Sequence, residues 1–171
     1  MTKNIFITSL PGHGKTTLII EILKELKLNA GGFYTQEIRE KGIRKGFKII
    51  TLDGKEGILA HVNIKSPYKV SKYKVNIKDL EEIGVRSILK ALEENKIVII
   101  DEIGKAEMFS EKFREAVISV LNSKNKVLGT IKLTYDSFTN KIKQRKDTAI
   151  FKLTRENKTE IKKKIKELIL K

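Results

Sequence analysis

Two short stretches carry residue types suited to handling phosphate. The first, "SLPGHGKTT" at Ser9–Thr17, directly follows the apolar run "IFIT". It matches G-x-x-x-x-G-K-[ST] at every fixed position except the first, where Ser9 stands in place of glycine. Placed between a strand and a helix, such a loop wraps polyphosphate in main-chain amides at the positive end of a helix dipole. Pro11, Gly12, His13, Gly14, Lys15, Thr16 and Thr17 are therefore expected to line the phosphates. Gly14 admits the backbone close to them, Lys15 reaches the β and γ phosphates, and Thr16 places its hydroxyl on Mg²⁺. The absent first glycine predicts either local strain at Ser9 or another dihedral combination, with Pro11 and Gly12 restoring the shape. His13 either touches a phosphate or catalytic water or, as a variable loop position, faces solvent.

The second stretch is "IVIIDEIG", in which Asp101 and Glu102 follow four apolar residues. A carboxylate at the end of a neighbouring strand is what the Mg²⁺ shell requires, and Asp101 is assigned to it. Glu102 is assigned as general base or water-orienting group for attack on the γ phosphate. Phosphoryl transfer also calls for a cation against the charge spreading over the γ oxygens. Lys105, Arg145 in "QRKD" and Arg155 in "TREN" are the candidates; Arg145 fits a lid and Arg155 a frame for base or ribose. Tyr34, Glu37 and Arg39 are weaker candidates on alternate strand positions. "DEIG" also fits the D-x-x-G of guanine-nucleotide switches, and "NKTE" at 157–160 approaches their Asn-Lys-x-Asp element. Asn157 and Glu160, at capping-box spacing before an apolar-periodic run, read instead as a helix cap.

These residues need a scaffold, and the periodicity supplies one. "KNIFITS" reads as a buried strand, and Leu18, Ile19, Ile22, Leu23 and Leu26 fall on one face of a following helix. Aromatic and β-branched residues with glycine turn signals predict an antiparallel meander over 32–63. A helix over "DLEEIGVRSILKALEEN" leads to the strand that ends in Asp101. "SEKFREAVISVLNS" is a helix capped near Ser110, "KVLGTIK" a strand, "YDSFTNKIKQR" a helix, "TAIFKLT" a strand and "NKTEIKKKIKELILK" the closing helix. Strands alternating with helices predict an α/β fold: a mainly parallel central sheet, helices on both faces, and the meander as an insertion.

The composition sets bounds on partners. With 171 residues and no linker or repeat, residues 1–171 are read as a single domain. No apolar run is long enough for a bilayer, and no leader pattern is visible, so a cytoplasmic location is expected. No cysteine and only two histidines leave oxygen as the expected metal donor. The net charge is +15, and residues 141–171 hold twelve Lys or Arg against four Asp or Glu. That excess permits a nucleic-acid partner. The lysines of "TEIKKKIKELILK" nevertheless alternate with Ile161, Ile165, Leu168 and Ile169 as a solvated helix face would, so nucleic acid is not favoured. Abundant Lys, Glu and Ile suit a heat-adapted source.

In sequence order, "PGHGKTTL", "GGFYTQEIRE", "GIRKGFKIITLDG", "DEIGKAEMFS", "VLGTIK" and "RKDTAIFKLTREN" resemble the small P-loop nucleoside triphosphatases of thermophilic bacteria and archaea, a family with a cancer-related human relative. The resemblance implies a P-loop NTPase fold and Mg²⁺-dependent hydrolysis of ATP, GTP and other triphosphates to diphosphate and phosphate, with little base discrimination. It carries roles to Lys15, Thr16, Asp101 and Glu102. Lys105 and Glu107 fit its "DEIGKME" with alanine at 106. Ser9 departs from its pattern, as does Ser71, where "VSKY" replaces a "VGKY"-like segment. The substrate is then a nucleoside triphosphate and the chain a monomer. A nucleotide or nucleic-acid kinase is the alternative, with a hydroxyl acceptor replacing water, and a nucleic-acid module regulated by triphosphate ranks third.

Overall fold

The computed structural model describes residues 1–171, and all nine strands join one sheet. The strands are β1 Asn4–Thr8, β2 Ala30–Glu40, β3 Ile43–Thr51, β4 Glu56–His61, β5 Lys69–Val70, β6 Tyr73–Val75, β7 Ile97–Ile103, β8 Val127–Ile131 and β9 Thr148–Lys152. Their order is β5-β6-β4-β3-β2-β7-β8-β1-β9. From β2 to β9 every pairing is parallel, and from β2 to β5 every pairing is antiparallel. The meander is therefore no appendage. Ala30–Phe33 of β2 pair in parallel with Ile97–Ile100, and Phe33–Glu40 then pair antiparallel with β3. One long strand thus carries the central sheet over into the meander. The two-stranded β5–β6 hairpin beyond it is not visible in the hydrophobic pattern.

Side-chain alternation along the strands explains the helices on both faces. Ile5 and Ile7 of β1 join Ile99 and Leu128 beneath α1, Lys15–Leu26, and α6, Lys158–Leu170. Phe6 points the other way, into a larger cluster with Val98, Ile100 and Val127. That face is covered by α3, Arg86–Glu93, α4, Glu111–Leu121, and α5, Ser137–Lys143. The short α2, Ile77–Asp79, runs into a π-helical turn over Leu80–Val85 and then into α3. In that turn Gly84 packs so close to Ile49 that a Cβ would lie 2.6 Å from its Cδ1. Ser110 caps α4 as expected, its Oγ accepting the Phe113 amide at 3.0 Å. Asn157 occupies the cap position of α6, but its side chain turns backwards. Its Oδ1 accepts the Thr154 amide at 2.7 Å and its Nδ2 donates to the Lys152 carbonyl at 2.9 Å. The expected capping box is thus replaced by a tie that shapes the β9–α6 loop.

The lysine-rich closing helix is bound to α1. Lys158 and Lys162 reach Glu21 at 2.9 and 3.1 Å, Lys162 reaches Glu25 at 2.5 Å, and Lys166 also pairs with Glu25. Ile161, Ile165 and Ile169 face inward. Three lysines of the charge excess are thus engaged in inter-helix pairing. No helix is long and apolar enough to cross a membrane.

Candidate active site

A parallel sheet gathers the C-terminal ends of its strands along one edge, and ligands bind there. β1 delivers the phosphate loop to that edge and β7 delivers Asp101 and Glu102. These strands are not neighbours, because β8 lies between them.

The loop has the conformation its glycines predict at two positions: Gly12 has φ 80° and Gly14 φ 85°. No Cβ would clash at either, so their requirement is the left-handed backbone itself. Ser9 takes the second of the two expected courses, another dihedral combination. It is not among the positive-φ residues, it is buried, and its hydroxyl donates to the Leu10 carbonyl at 2.8 Å. A serine fits there without strain. The second serine departure, Ser71 in the β5–β6 turn, is left-handed at φ 56°, as are Lys27, Lys41 and Asn95 elsewhere. Helix α1 starts at Lys15 with no acidic residue in its first turn, which leaves its positive end available to an anion. Pro11, Gly12, Gly14 and Thr17 are exposed; Lys15 and Thr16 are half-buried. His13 is half-buried as well, and its Nδ1, like Thr8 Oγ1 at the loop's entry, is buried without a hydrogen-bond partner.

Asp101 sits under this loop, 2% exposed. Thr16 Oγ1 donates to its Oδ2 at 2.6 Å, Thr130 Oγ1 donates to its Oδ1 at 2.6 Å, and the Thr35 amide donates to Oδ2 at 3.3 Å. Burial pushes this carboxyl above the usual range, while the two hydroxyls, the amide and nearby Lys15 pull the other way. Thr16 and Asp101 offer adjacent hard oxygens, which suits Mg²⁺, an ion held by one or two protein groups together with substrate phosphates. Thr130 and Thr35 escaped the sequence reading. The signal for Thr130 was a hydroxyl inside the apolar run "VLGTI", on the strand between β1 and β7.

Glu102 faces the loop's cation: Lys15 Nζ is 3.4 Å from its Oε2. Its side chain lies over Gly104, where a Cβ would meet Glu102 Oε1 at 2.6 Å, so a larger residue there would displace the carboxylate. Burial raises the Glu102 carboxyl, Lys15 opposes that, and Asp101 adds to it. Below them Glu107, 3% exposed, accepts the Gly104 amide at 3.0 Å. Burial and then the Glu102 charge push Glu107 up to about 8.

The three expected cations part company. Lys105 is exposed on the turn after β7, three residues beyond Glu102. Arg155 is exposed in the β9–α6 loop, beside the entry to the phosphate loop, because Leu153 donates to the Thr8 carbonyl at 2.8 Å. Arg145 is not brought to the site, which corrects the expectation of a lid. It precedes β9 and lies near the first residue of β1, since the Asp147 carbonyl accepts the Lys3 and Asn4 amides. The loop leaves the other end of this five-residue strand, roughly 13 Å away. There Arg145 grips both oxygens of Asp147 at 3.0 Å, the Leu121 carbonyl at 2.9 Å and Asn122 Oδ1 at 3.0 Å. Glu37 and Arg39 pair with each other at 2.8 Å, and Arg44 joins Glu37 at 3.2 Å.

The sequence and the fold have counterparts in known proteins. The chain is 56% identical over 157 residues to the nucleoside-triphosphatase THEP1 of Thermotoga sp. (strain RQ2), covering 92% of this chain and 90% of that one. Its fold matches the crystal structure of THEP1 from the hyperthermophile Aquifex aeolicus with a TM-score of 0.89 at 35% identity, over 98% of this chain and 99% of that one. The solution structure of a human cancer-related nucleoside triphosphatase matches at a TM-score of 0.82 and 33% identity, over 96% of this chain and 95% of that one. With the NTPase family pattern matching residues 4–166 as well, the chain that sets Lys15 against Glu102 and Thr16 against Asp101 belongs to the NTPase family of nucleoside triphosphatases.

Proposed function

We propose that this protein hydrolyses nucleoside triphosphates to the diphosphate and phosphate, with Mg²⁺ as cofactor and little preference among bases. The observation that carries the reading is the convergence of Lys15, Thr16, Asp101 and Glu102 from two non-adjacent strands. The amides of Gly12–Thr17 and the α1 dipole would bind the phosphates, and Lys15 would take the β and γ oxygens. Thr16 and Asp101 would hold Mg²⁺, which would supply positive charge against that developing on the phosphate oxygens.

Glu102 acts on water. Its carboxylate accepts a proton as the water oxygen attacks the γ phosphorus; the bond to the β–γ bridging oxygen breaks and the diphosphate leaves with that electron pair. Burial raises the proton affinity of Glu102, which favours a base. Lys105 is the nearest exposed cation in sequence to this carboxylate and is the proposed partner of the γ oxygens. Arg155, with Thr154 and Asn157, borders the loop where base or ribose would lie. Asn157 commits one acceptor site to Thr154 and one donor to Lys152, which fixes its amide to the β9–α6 loop.

The test is phosphate release from ATP, GTP, CTP and UTP by the purified protein, with Mg²⁺ and with chelator. Release from all four, abolished by chelation, is the expected result. Release from one base alone, or unaffected by chelation, would refute the corresponding part.

A further inference from the structure

β8 lies between β1, which leads into the phosphate loop, and β7, which carries Asp101 and Glu102. Leu128 of β8 packs beneath α1, Thr130 two residues on donates to Asp101, and Lys132 follows two residues after that. The Lys132 amide donates to the Ile103 carbonyl at 3.1 Å, so the ladder with β7 carries on past the end of the strand. Its ammonium lies close enough for its charge to favour the Glu102 carboxylate, as does that of Lys15. Both lysines are shielded from solvent: the Lys132 side chain is 13% exposed and that of Lys15 16%. Lys105, by contrast, stands in water.

A lysine is seldom shielded without a partner, and here the partner is Asp136. Lys132 Nζ lies 2.5 Å from Asp136 Oδ2. The other oxygen, Oδ1, accepts the Thr139 amide at 2.7 Å and the Thr139 hydroxyl at 3.0 Å, which caps α5. Asp136 therefore brackets the ammonium to the start of that helix. The main chain is tied as well, because Lys143 Nζ donates to the Lys132 carbonyl at 2.8 Å. An ammonium has three donors and Asp136 takes one, which leaves two for an anion.

We propose that Lys132 is a catalytic residue whose ammonium donates to the γ-phosphoryl oxygens, with Asp136 as its positioning residue; the inference rests on the reading that a triphosphate occupies the Lys15 loop. In phosphoryl transfer the negative charge is spread over three equatorial oxygens, and fixed charges aimed at them lower the barrier. A cation set in place before the reaction costs no reorganisation, and one shielded from water acts through a lower effective dielectric than an exposed one. Lys132 meets both conditions, whereas exposed Lys105 lacks the shielding. The proton stays on Nζ throughout, so Lys132 supplies charge and leaves proton transfer to Glu102.

The experiment measures kcat, KM and ADP affinity in Lys132→Met, in Asp136→Asn and in the double variant. Asn caps a helix as well as Asp does, so Asp136→Asn keeps α5 in place while it removes the counter-charge. Lys132→Met is expected to lower kcat about 10²-fold or more, with KM and ADP affinity close to those of the parent. The double variant should be equally slow, since it leaves no unpaired acid. A loss of less than about tenfold in its kcat overturns the proposal, because the defect of the single variant then comes from Asp136 alone. Asp136→Asn is expected to lower kcat about tenfold at unchanged KM, and parental kcat there overturns the positioning role. The second readout is binding of ADP with Mg²⁺ and aluminium fluoride, a planar stand-in for the transferring phosphoryl group. The double variant should bind that combination at least about tenfold more weakly than the parent while binding ADP equally well. Should the parent release no phosphate, the hydrolase reading fails and this comparison alone decides Lys132: equal affinity for the combination overturns its role.

Discussion

Lys15 Nζ and Glu102 Oε2 stand 3.4 Å apart, so the cation of the loop and the proposed base of the strand share one ion pair. A triphosphate bound as proposed would compete with Glu102 for this ammonium and so free the carboxylate for water. Lys15→Ala removes a charge-assisted contact worth about 1.5–3 kcal/mol and should weaken triphosphate binding roughly 10- to 100-fold. Glu102→Gln keeps the shape and removes the proton acceptor. Turnover should fall about 10²–10⁴-fold with affinity retained. Nucleotide titration alongside phosphate release separates these outcomes, and unchanged turnover in Glu102→Gln ends its assignment as base.

Thr130 supports Asp101, the proposed metal carboxylate, from the intervening strand. Its hydroxyl donates to Asp101 at 2.6 Å with both groups buried, and it favours the charged carboxylate that burial opposes. Thr130→Val leaves that lone pair unmet, a loss of about 1–3 kcal/mol. Asp101 should then titrate higher still, and half-maximal activity should require more Mg²⁺, most visibly as the pH is lowered. Denaturant unfolding and Mg²⁺ titrations at two pH values test this; a Mg²⁺ requirement equal to that of the parent contradicts it.

Glu107 predicts a pH slope in stability. Its carboxyl is pushed up to about 8 in the fold, above an ordinary value of 4.5. Between these limits the folded chain retains a proton that the unfolded chain has lost, so stability falls as pH rises and levels off above about 8. Glu107→Gln keeps an oxygen for the Gly104 amide and cannot ionise. It should flatten the slope between pH 5 and 8 and stabilise the fold at pH 8 by up to a few kcal/mol. Thermal unfolding across that range gives the answer, and identical slopes in the two proteins would refute the assignment.

The chemistry was legible in sequence where it lies in contiguous residues. "GHGKTT" and "IVIIDEIG" each carry their neighbours and their strand, so the sequence alone points to Lys15, Thr16, Asp101 and Glu102. Thr130 and Thr35 contribute through strand order, which periodicity does not encode: nothing in "VLGTI" says that its strand runs between β1 and β7. Glycine turn signals predict the antiparallel meander, but local pattern does not reveal that its first strand also pairs in parallel with β7. Arg145 shows the opposite failure. Its residue type fits a lid, yet position along the chain does not tell which end of the sheet a turn occupies.

That misplacement is itself testable. Arg145 clamps Asp147 through both carboxylate oxygens and ties the end of α4 to the start of β9 through Leu121 and Asn122. These groups are only partly exposed, so the pair exceeds an ordinary surface ion pair in value. Arg145→Ala removes the fork and frees the Leu121 carbonyl, a loss of about 1–3 kcal/mol, or roughly 2–8 °C in Tm for a chain of this size. Because the residue stands at the opposite end of β1 from the loop, kcat and KM for triphosphate hydrolysis should match the parent well below the melting temperature. A tenfold drop in kcat with unchanged stability would return Arg145 to the catalytic edge and contradict the placement found here.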